Sequence, residues 1–412
     1  MGNAADVEFL KTKQARVSTK LLIDVPILVT VIILLILGLL FLYSASWNFA
    51  LQEYDNAGYI VIRQVIWVIL GLVLATILTF MDYHFIRNIA QLIILGTIFL
   101  LTLVLFIPSS IQGATRTVLN GSVQPSELAK IALIIYLAYW LSNKQDKLST
   151  LVWGFFPVIS IIGIISVLVL LQPDVSATIT IIFLGAVMFY VAGGNPKHLG
   201  VILLLALFIF LCGYFLFDKV STRINDYVNG LKDPSLASYH IQRSTEAILR
   251  GGLTGVGLGK GVVKLTGLPV AWTDSIFTVI LEETGLLGGT FIILLYLVLI
   301  WRGYEISVNA PDTFGKLLAA GVTLWIGIEA FINIGVMVNI VPFAGNALPL
   351  ISSGGSSLIC TLAGIGILMS VSRSSAIEAL KKERKTPDAL IDLRGGNGGW
   401  RISSLGRGSR KR

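Results

Sequence analysis

The stretch TDSIFTVILEETG holds three carboxylates, Asp274, Glu282 and Glu283, where a polar loop runs into an apolar helix. Ionisable groups are expensive at membrane depth, so each is a candidate for function or for a specific partner. From position alone, Asp274 can serve catalysis or sit at the helix start, where the dipole favours an anion. Glu282 and Glu283 lie about two turns deeper and point about 100° apart, so at least one faces other helices. They read as structural, paired with Arg, Lys or backbone donors.

Three more polar segments interrupt apolar runs. In QPSELAK, Gln124 and Ser126 precede Glu127 and Lys130, whose i, i+3 spacing allows a pair within one helix or contact with a substrate. Pro125 suits a first helical turn. In LQPD, Asp174 occupies a first turn as a cap or a ligand contact. In SSGGSS, Ser352, Gly354, Gly355 and Ser356 supply hydroxyl and N–H donors that can cradle a phosphate at a helix start. Arg116, Arg243, Arg250, Lys260 and Lys264 add positive charge to the same side, which suggests an anionic ligand. Cys212 and Cys360 lie inside apolar runs and read as packing residues. His84, His198 and His240 are far apart and match no metal-ligand spacing.

The elements that must position these groups are helices in a membrane. The chain has 412 residues, of which 55% are hydrophobic and 13% charged. That excludes an ordinary soluble globular protein. Ten candidate spans fall near 22–45, 60–81, 88–107, 125–142, 151–171, 174–192, 197–217, 274–301, 315–340 and 347–371. The reading is an all-α polytopic membrane protein: a tail over 1–20, a membrane domain over 21–372 and a basic tail over 373–412. From Arg373 onward, eleven Lys/Arg stand against four Asp/Glu, so the tail carries +7 of the net +8. By the positive-inside rule both termini are cytoplasmic, and all four polar segments lie outside. A long outer loop over 218–273 should contain a short amphipathic helix in YHIQRSTEAILR, at or near the membrane surface. Its GGLTGVGLGKG run can only be glycine-shaped turns.

Taken in order, these stretches resemble the SEDS family (shape, elongation, division and sporulation), which includes FtsW and RodA. The resemblance covers about residues 25 to 372. It rests on YSAS (43–46), the Gly-Ala-x-Arg loop leading into QPSELAK, LQPD, AILRGGLTGVGLGKGVVKLTGLP, TDSIFTVILEETGLLGG, NIGV (333–336) and LPLISSGGSSL. It leans toward FtsW on GLTGVGLGKGVVKL. The resemblance implies a ten-helix enzyme of the cytoplasmic membrane that polymerises lipid II into glycan strands on the outer face. The partners it implies are a class B penicillin-binding protein and other division or elongation proteins, with no nucleic acid. The family's essential acid maps to Asp274, as general base toward the acceptor hydroxyl. The departing lipid diphosphate would be stabilised by basic residues, loop N–H groups or a divalent cation such as Mg²⁺ or Mn²⁺, with no nucleotide cofactor.

The chain departs from the family pattern beside the expected site. Thr117 replaces a tryptophan, Trp272 a histidine, Ser275 a phenylalanine, Ser353 a tyrosine and Ser176 a glycine. Trp272 is a candidate substitute for the missing aromatic surface. Two other roles compete with polymerisation: a lipid II flippase, or a scaffold that activates a penicillin-binding protein.

Overall fold

A computed structural model describes residues 22–106, 124–148, 150–216 and 218–385. Among these it contains twelve α-helices: α1 Val25–Tyr54, α2 Tyr59–Phe80, α3 Tyr83–Leu105, α4 Pro125–Asn143, α5 Phe156–Leu171, α6 Val175–Val191, α7 Pro196–Leu216, α8 Asp218–Lys232, α9 Tyr239–Gly251, α10 Ile276–Val308, α11 Thr313–Met337 and α12 Gly355–Lys385. Seven of them, α1 to α3, α7 and α10 to α12, are long and apolar enough to cross a membrane. The apolar α5 and α6 are shorter, and α4 interrupts its apolar run with an ion pair. The chain is a multi-pass membrane protein of about ten spans.

Helix α2 shows what replaces amphipathicity in such a bundle. Ile62, Ile66, Ile69, Val73 and Ile77 form an exposed apolar face, as lipid contact requires. The opposite face buries Gln64, Val68, Gly71, Ala75 and Thr79. Small residues there let the backbone approach α12 closely: a Cβ at Gly366 would sit 2.6 Å from the Ala75 carbonyl oxygen. Hydropathy separates this face from the Ile-rich one but does not say which helix it meets.

Several boundaries differ from those read in the sequence. LPLISSG is a turn rather than a helix start, so α12 begins at Gly355; it then continues through residue 385, past the expected tail boundary. Helix α10 runs to Val308 and stops before the Ala310–Pro311 pair, because a residue preceding proline disfavours the helical region. A second amphipathic helix, α8, precedes the expected one at α9. The apolar face of α9 does not lie on lipid: Ile241, Ser244, Ala247 and Gly251 are buried, and the Ser244 and Thr278 hydroxyls lie 3.1 Å apart across to α10.

The glycine run has a specific task. Helix α10 breaks at Gly285, where φ is 68° and ψ −168°. The break strips helical partners from the carbonyls of Glu282 and Glu283 and from the amides of Leu286 and Leu287. The glycine loop supplies all four. Val256 N donates to Glu282 O and Gly257 N to Glu283 O, each at 3.0 Å. Leu286 N donates to Gly252 O at 2.9 Å and Leu287 N to Leu253 O at 3.1 Å. Irregular backbone is tolerated at membrane depth when it is paired in this way. A side chain at Gly285 would meet Leu253 O and Gly255 N in a conformation only glycine adopts readily. Gly285→Ala is therefore expected to cost about 1–3 kcal/mol in strain alone. Thermal unfolding in detergent checks this, and an unchanged midpoint would mean the break is not needed.

The far end of the bundle is tied separately. Arg302 Nη2 reaches Asp24 Oδ2 at 2.6 Å, and the Tyr83 hydroxyl donates to Asp312 at 2.8 Å. Burial disfavours the Asp312 carboxylate, yet bonds from Gly315 N, Tyr83 and His84 outweigh it and hold its pKa below the ordinary value.

Candidate active site

Asp274 stands in the turn before α10, whose first residue is Ile276, with Ser275 in the cap position. Asp274 thus sits one residue ahead of the cap, still at the helix start. Its backbone is held from three directions. Asn333 Nδ2 on α11 donates to Asp274 O at 2.8 Å and to Asn346 O at 2.6 Å. Ser352 Oγ donates to Thr273 O at 2.6 Å, and Ser353 N donates to Trp272 O at 2.9 Å. The segments on both sides carry non-glycine residues in the left-handed region, Val270 at φ 48° and Leu350 at φ 67°. Strain of this kind persists only where surrounding bonds over-determine it, as they do here.

Asp274 opens onto a cavity of about 240 Å³. Its walls come from five distant stretches: the start of α4, the start of α6, the 273–274 turn, Glu329 on α11, and the 345–357 loop with the first turn of α12. All lie at one end of the bundle. Asp174 caps α6 by accepting from Ala177 N at 3.2 Å, and its other oxygen accepts from Gln124 Nε2 at 2.9 Å and Ser126 Oγ at 3.1 Å. Ser356 Oγ accepts from Gln124 N at 3.1 Å, joining α4 to α12. Lys130 Nζ donates to Glu127 Oε1 at 2.8 Å and also pairs with Glu329 on α11. The second oxygen of Glu127 is buried with no hydrogen-bond partner among the described residues, and Glu127 lines the cavity.

Eight expected residues line this cavity: Gln124, Glu127, Lys130, Asp174, Asp274, Gly354, Gly355 and Ser356. Ser126 and Ser352 stand one bond behind, holding Asp174 and Thr273. Arg116 lies outside the described residues. The remaining basic residues are elsewhere. Arg243 pairs with Glu246, and its Nη2 donates to Thr266 O at 2.6 Å. Lys260 is exposed on the glycine loop. Lys264 is fully buried, 2.5 Å from Glu283 and 2.6 Å from the Ser44 hydroxyl. The cavity is consequently acidic: Glu127, Asp174, Asp274 and Glu329 face one lysine among its described lining residues.

Glu282 and Glu283 have the kind of partners expected. Glu282 accepts from Val262 N at 2.8 Å and Val263 N at 3.1 Å. Glu283 holds Lys264 and Ser44, the first serine of the YSAS stretch. Lys264→Met would strand the Glu283 charge in the interior and should cost about 3–5 kcal/mol. Adding Glu283→Gln should recover much of that loss in a thermal unfolding series. If Lys264→Met melts like the parent, the pair is not structural.

Glu329 was missed by sequence reasoning. The available signal was its isolation, for it is the only charged residue between Lys316 and Arg373. Asn333, which clamps Asp274, was visible only as part of the NIGV stretch.

Comparison with known proteins places these features in context. A family model described as "Cell cycle protein", covering FtsW, RodA and SpoVE, matches residues 25–377. The chain is 38% identical over 356 residues to a probable peptidoglycan glycosyltransferase FtsW of Geobacter sp. (strain M18), covering 85% of this chain and 96% of that protein. It is 35% identical over 357 residues to stage V sporulation protein E of Bacillus subtilis (strain 168), covering 85% and 97%. Among solved structures it resembles the rod shape determining protein RodA of Thermus thermophilus, with a TM-score of 0.64 and 28% identity over 86% of this chain and 98% of that one. A chain of a peptidoglycan synthase complex that coordinates polymerisation and crosslinking matches with a TM-score of 0.70 and 26% identity, over 86% and 99%.

Proposed function

Because the chain belongs to the FtsW, RodA and SpoVE family of cell cycle proteins, we propose that it is a peptidoglycan glycosyltransferase that polymerises lipid II into glycan strands on the outer face of the cytoplasmic membrane, in division or in shape maintenance. The observation that carries this reading is Asp274. It is a carboxylate on a rigidly clamped turn, lining a cavity that the donor-rich start of α12 also lines.

The chemistry follows from that arrangement. The acceptor sugar's 4-hydroxyl attacks the donor's anomeric carbon while Asp274 takes the hydroxyl proton as general base. The bond from that carbon to the lipid diphosphate breaks, and its electron pair leaves with the diphosphate. The N–H groups of Gly355 and Ser356 and the Ser356 hydroxyl, at the α12 N-terminus, can receive negative charge. Lys130 adds a positive charge already shared by two carboxylates.

The acidic cavity lacks enough positive charge for a diphosphate, so a divalent cation fits the chemistry. Among the described residues no cluster of three metal-ligating side chains exists, which argues against a cage made by protein alone. Mg²⁺ is commonly held by one or two carboxylates together with substrate phosphates, and Glu127, whose second oxygen is buried without a partner among the described residues, would supply a protein ligand. Bound there, it would neutralise the leaving diphosphate.

A class B penicillin-binding protein that cross-links the strands is the partner this function requires, supported by the likeness to a chain of a peptidoglycan synthase complex. The test uses purified chain with and without that partner, labelled lipid II and a divalent cation. Glycan strands are the expected product. Their absence with both proteins folded would favour the flippase or scaffold roles instead.

A further inference from the structure

Behind the Asp274 turn lies a second cleft, of about 360 Å³, which the reaction as described does not use. The two share a wall made by Thr273, Ser353, Gly354 and Gly355. The far side of the second cleft is aromatic. Phe49 and Trp272 pack with ring centroids 4.3 Å apart, and Tyr54 stacks on Tyr59 at 4.2 Å. Phe49, Tyr54 and Tyr59 remain about two-fifths exposed, at 38%, 46% and 40%. Arg63, Gln64, Thr273 and Ser353 supply the polar lining, with Gln64 accepting from Gly354 N at 3.3 Å and donating to Ser352 O at 3.2 Å.

Aromatic residues at a membrane interface commonly form a belt against lipid headgroups. This cluster differs in two respects. Phe49 has no polar tip for headgroup contact, and the rings line a concave cleft that adjoins the carboxylate cavity instead of an outer face. A large apolar face with a few fixed polar groups is how proteins hold an amphipathic ring. A hexose is such a ring, with C–H bonds on its faces and hydroxyls around its edge. The electron-rich face of an aromatic side chain attracts those C–H bonds.

We propose that this cleft is a saccharide subsite that holds the growing glycan strand beside the reacting sugar, with Trp272 and Phe49 as the stacking platform. Continuity decides the occupant. A polymerase that keeps its product must seat the sugar next to the new bond, and this cleft begins at the residue preceding Asp274. The proposal rests on the glycosyltransferase reading, but its test does not depend on activity alone.

The probe is a soluble tetrasaccharide of alternating N-acetylglucosamine and N-acetylmuramic acid, titrated calorimetrically into detergent-solubilised full-length protein. Phe49→Ala and Trp272→Ala are expected to weaken binding about tenfold, equivalent to about 1.4 kcal/mol, while Trp272→Phe retains it. Phe49 is exposed, so its variant reports even if Trp272→Ala fails to fold. In polymerisation with the partner present, Phe49→Ala should give strands several-fold shorter at matched lipid II turnover. Wild-type binding and strand length in Phe49→Ala would overturn the proposal. So would a raised KM for lipid II without shortening, which would assign the cleft to the incoming lipid II. If the wild type makes no strands but binds the tetrasaccharide through Phe49, the polymerase reading fails and the subsite stands.

Discussion

Asp274→Asn is expected to lower glycan polymerisation by about 10²–10⁴-fold, the usual contribution of a positioned general base, while leaving the fold intact. The amide keeps the carboxylate's shape but cannot take the acceptor's proton. The turn itself is held by bonds that the substitution does not touch, because Asn333, Ser352 and Ser353 all donate to backbone carbonyls at 272–274. The loss should therefore fall on turnover and not on stability. Strand synthesis from labelled lipid II with the penicillin-binding partner, run beside a thermal melt, separates the two. Strands made at the parental rate would mean that the base lies elsewhere in the cavity, with Glu127 the next candidate because one of its oxygens is buried without a partner among the described residues.

The second large effect is structural. Lys130→Met removes the only cation between Glu127 on α4 and Glu329 on α11 among the residues lining the cavity. Two carboxylates would then share a buried site without a counter-charge, at a cost of about 3–5 kcal/mol. A large drop in the melting midpoint is expected, with loss of activity following from unfolding. The triple variant Lys130→Met, Glu127→Gln, Glu329→Gln removes all three charges and should restore most of the stability, since a buried ion pair is often no better than neutral groups. Its residual activity would then report whether these charges also act on substrate. A single variant as stable as the parent would show that the pair does not hold α4 to α11.

The legibility of the site differed from group to group for physical reasons. The Glu127–Lys130 pair could be read from the sequence because i, i+3 neighbours meet on any helix surface. Asp174 could be read as a cap because its role is completed by Ala177, three residues on. The glycine run was legible as turns, since only glycine accepts such backbone freely, but its purpose was not. That purpose is to satisfy four backbone groups freed by a break about thirty residues later, and no local pattern points from Gly255 to Gly285. Lys264 misled because an isolated lysine in a loop looks solvated, whereas a chain contact across to Ser44 and Glu283 buries it.

By itself, then, the sequence determined what is local or compositional: about ten apolar helices, the polar stretches that interrupt them, the caps and turns, and the family those stretches mark. The tertiary structure alone decided which polar groups meet. It brought residues near 124, 174, 274, 329 and 355 to one cavity and sent Lys264 and Arg243 elsewhere. The reason lies in the solvent. Lipid is as apolar as a leucine side chain, so hydrophobicity does not drive one helix onto another, and hydropathy carries no record of which helix packs on which. Close backbone approach and buried ion pairs make that choice, and both are long-range.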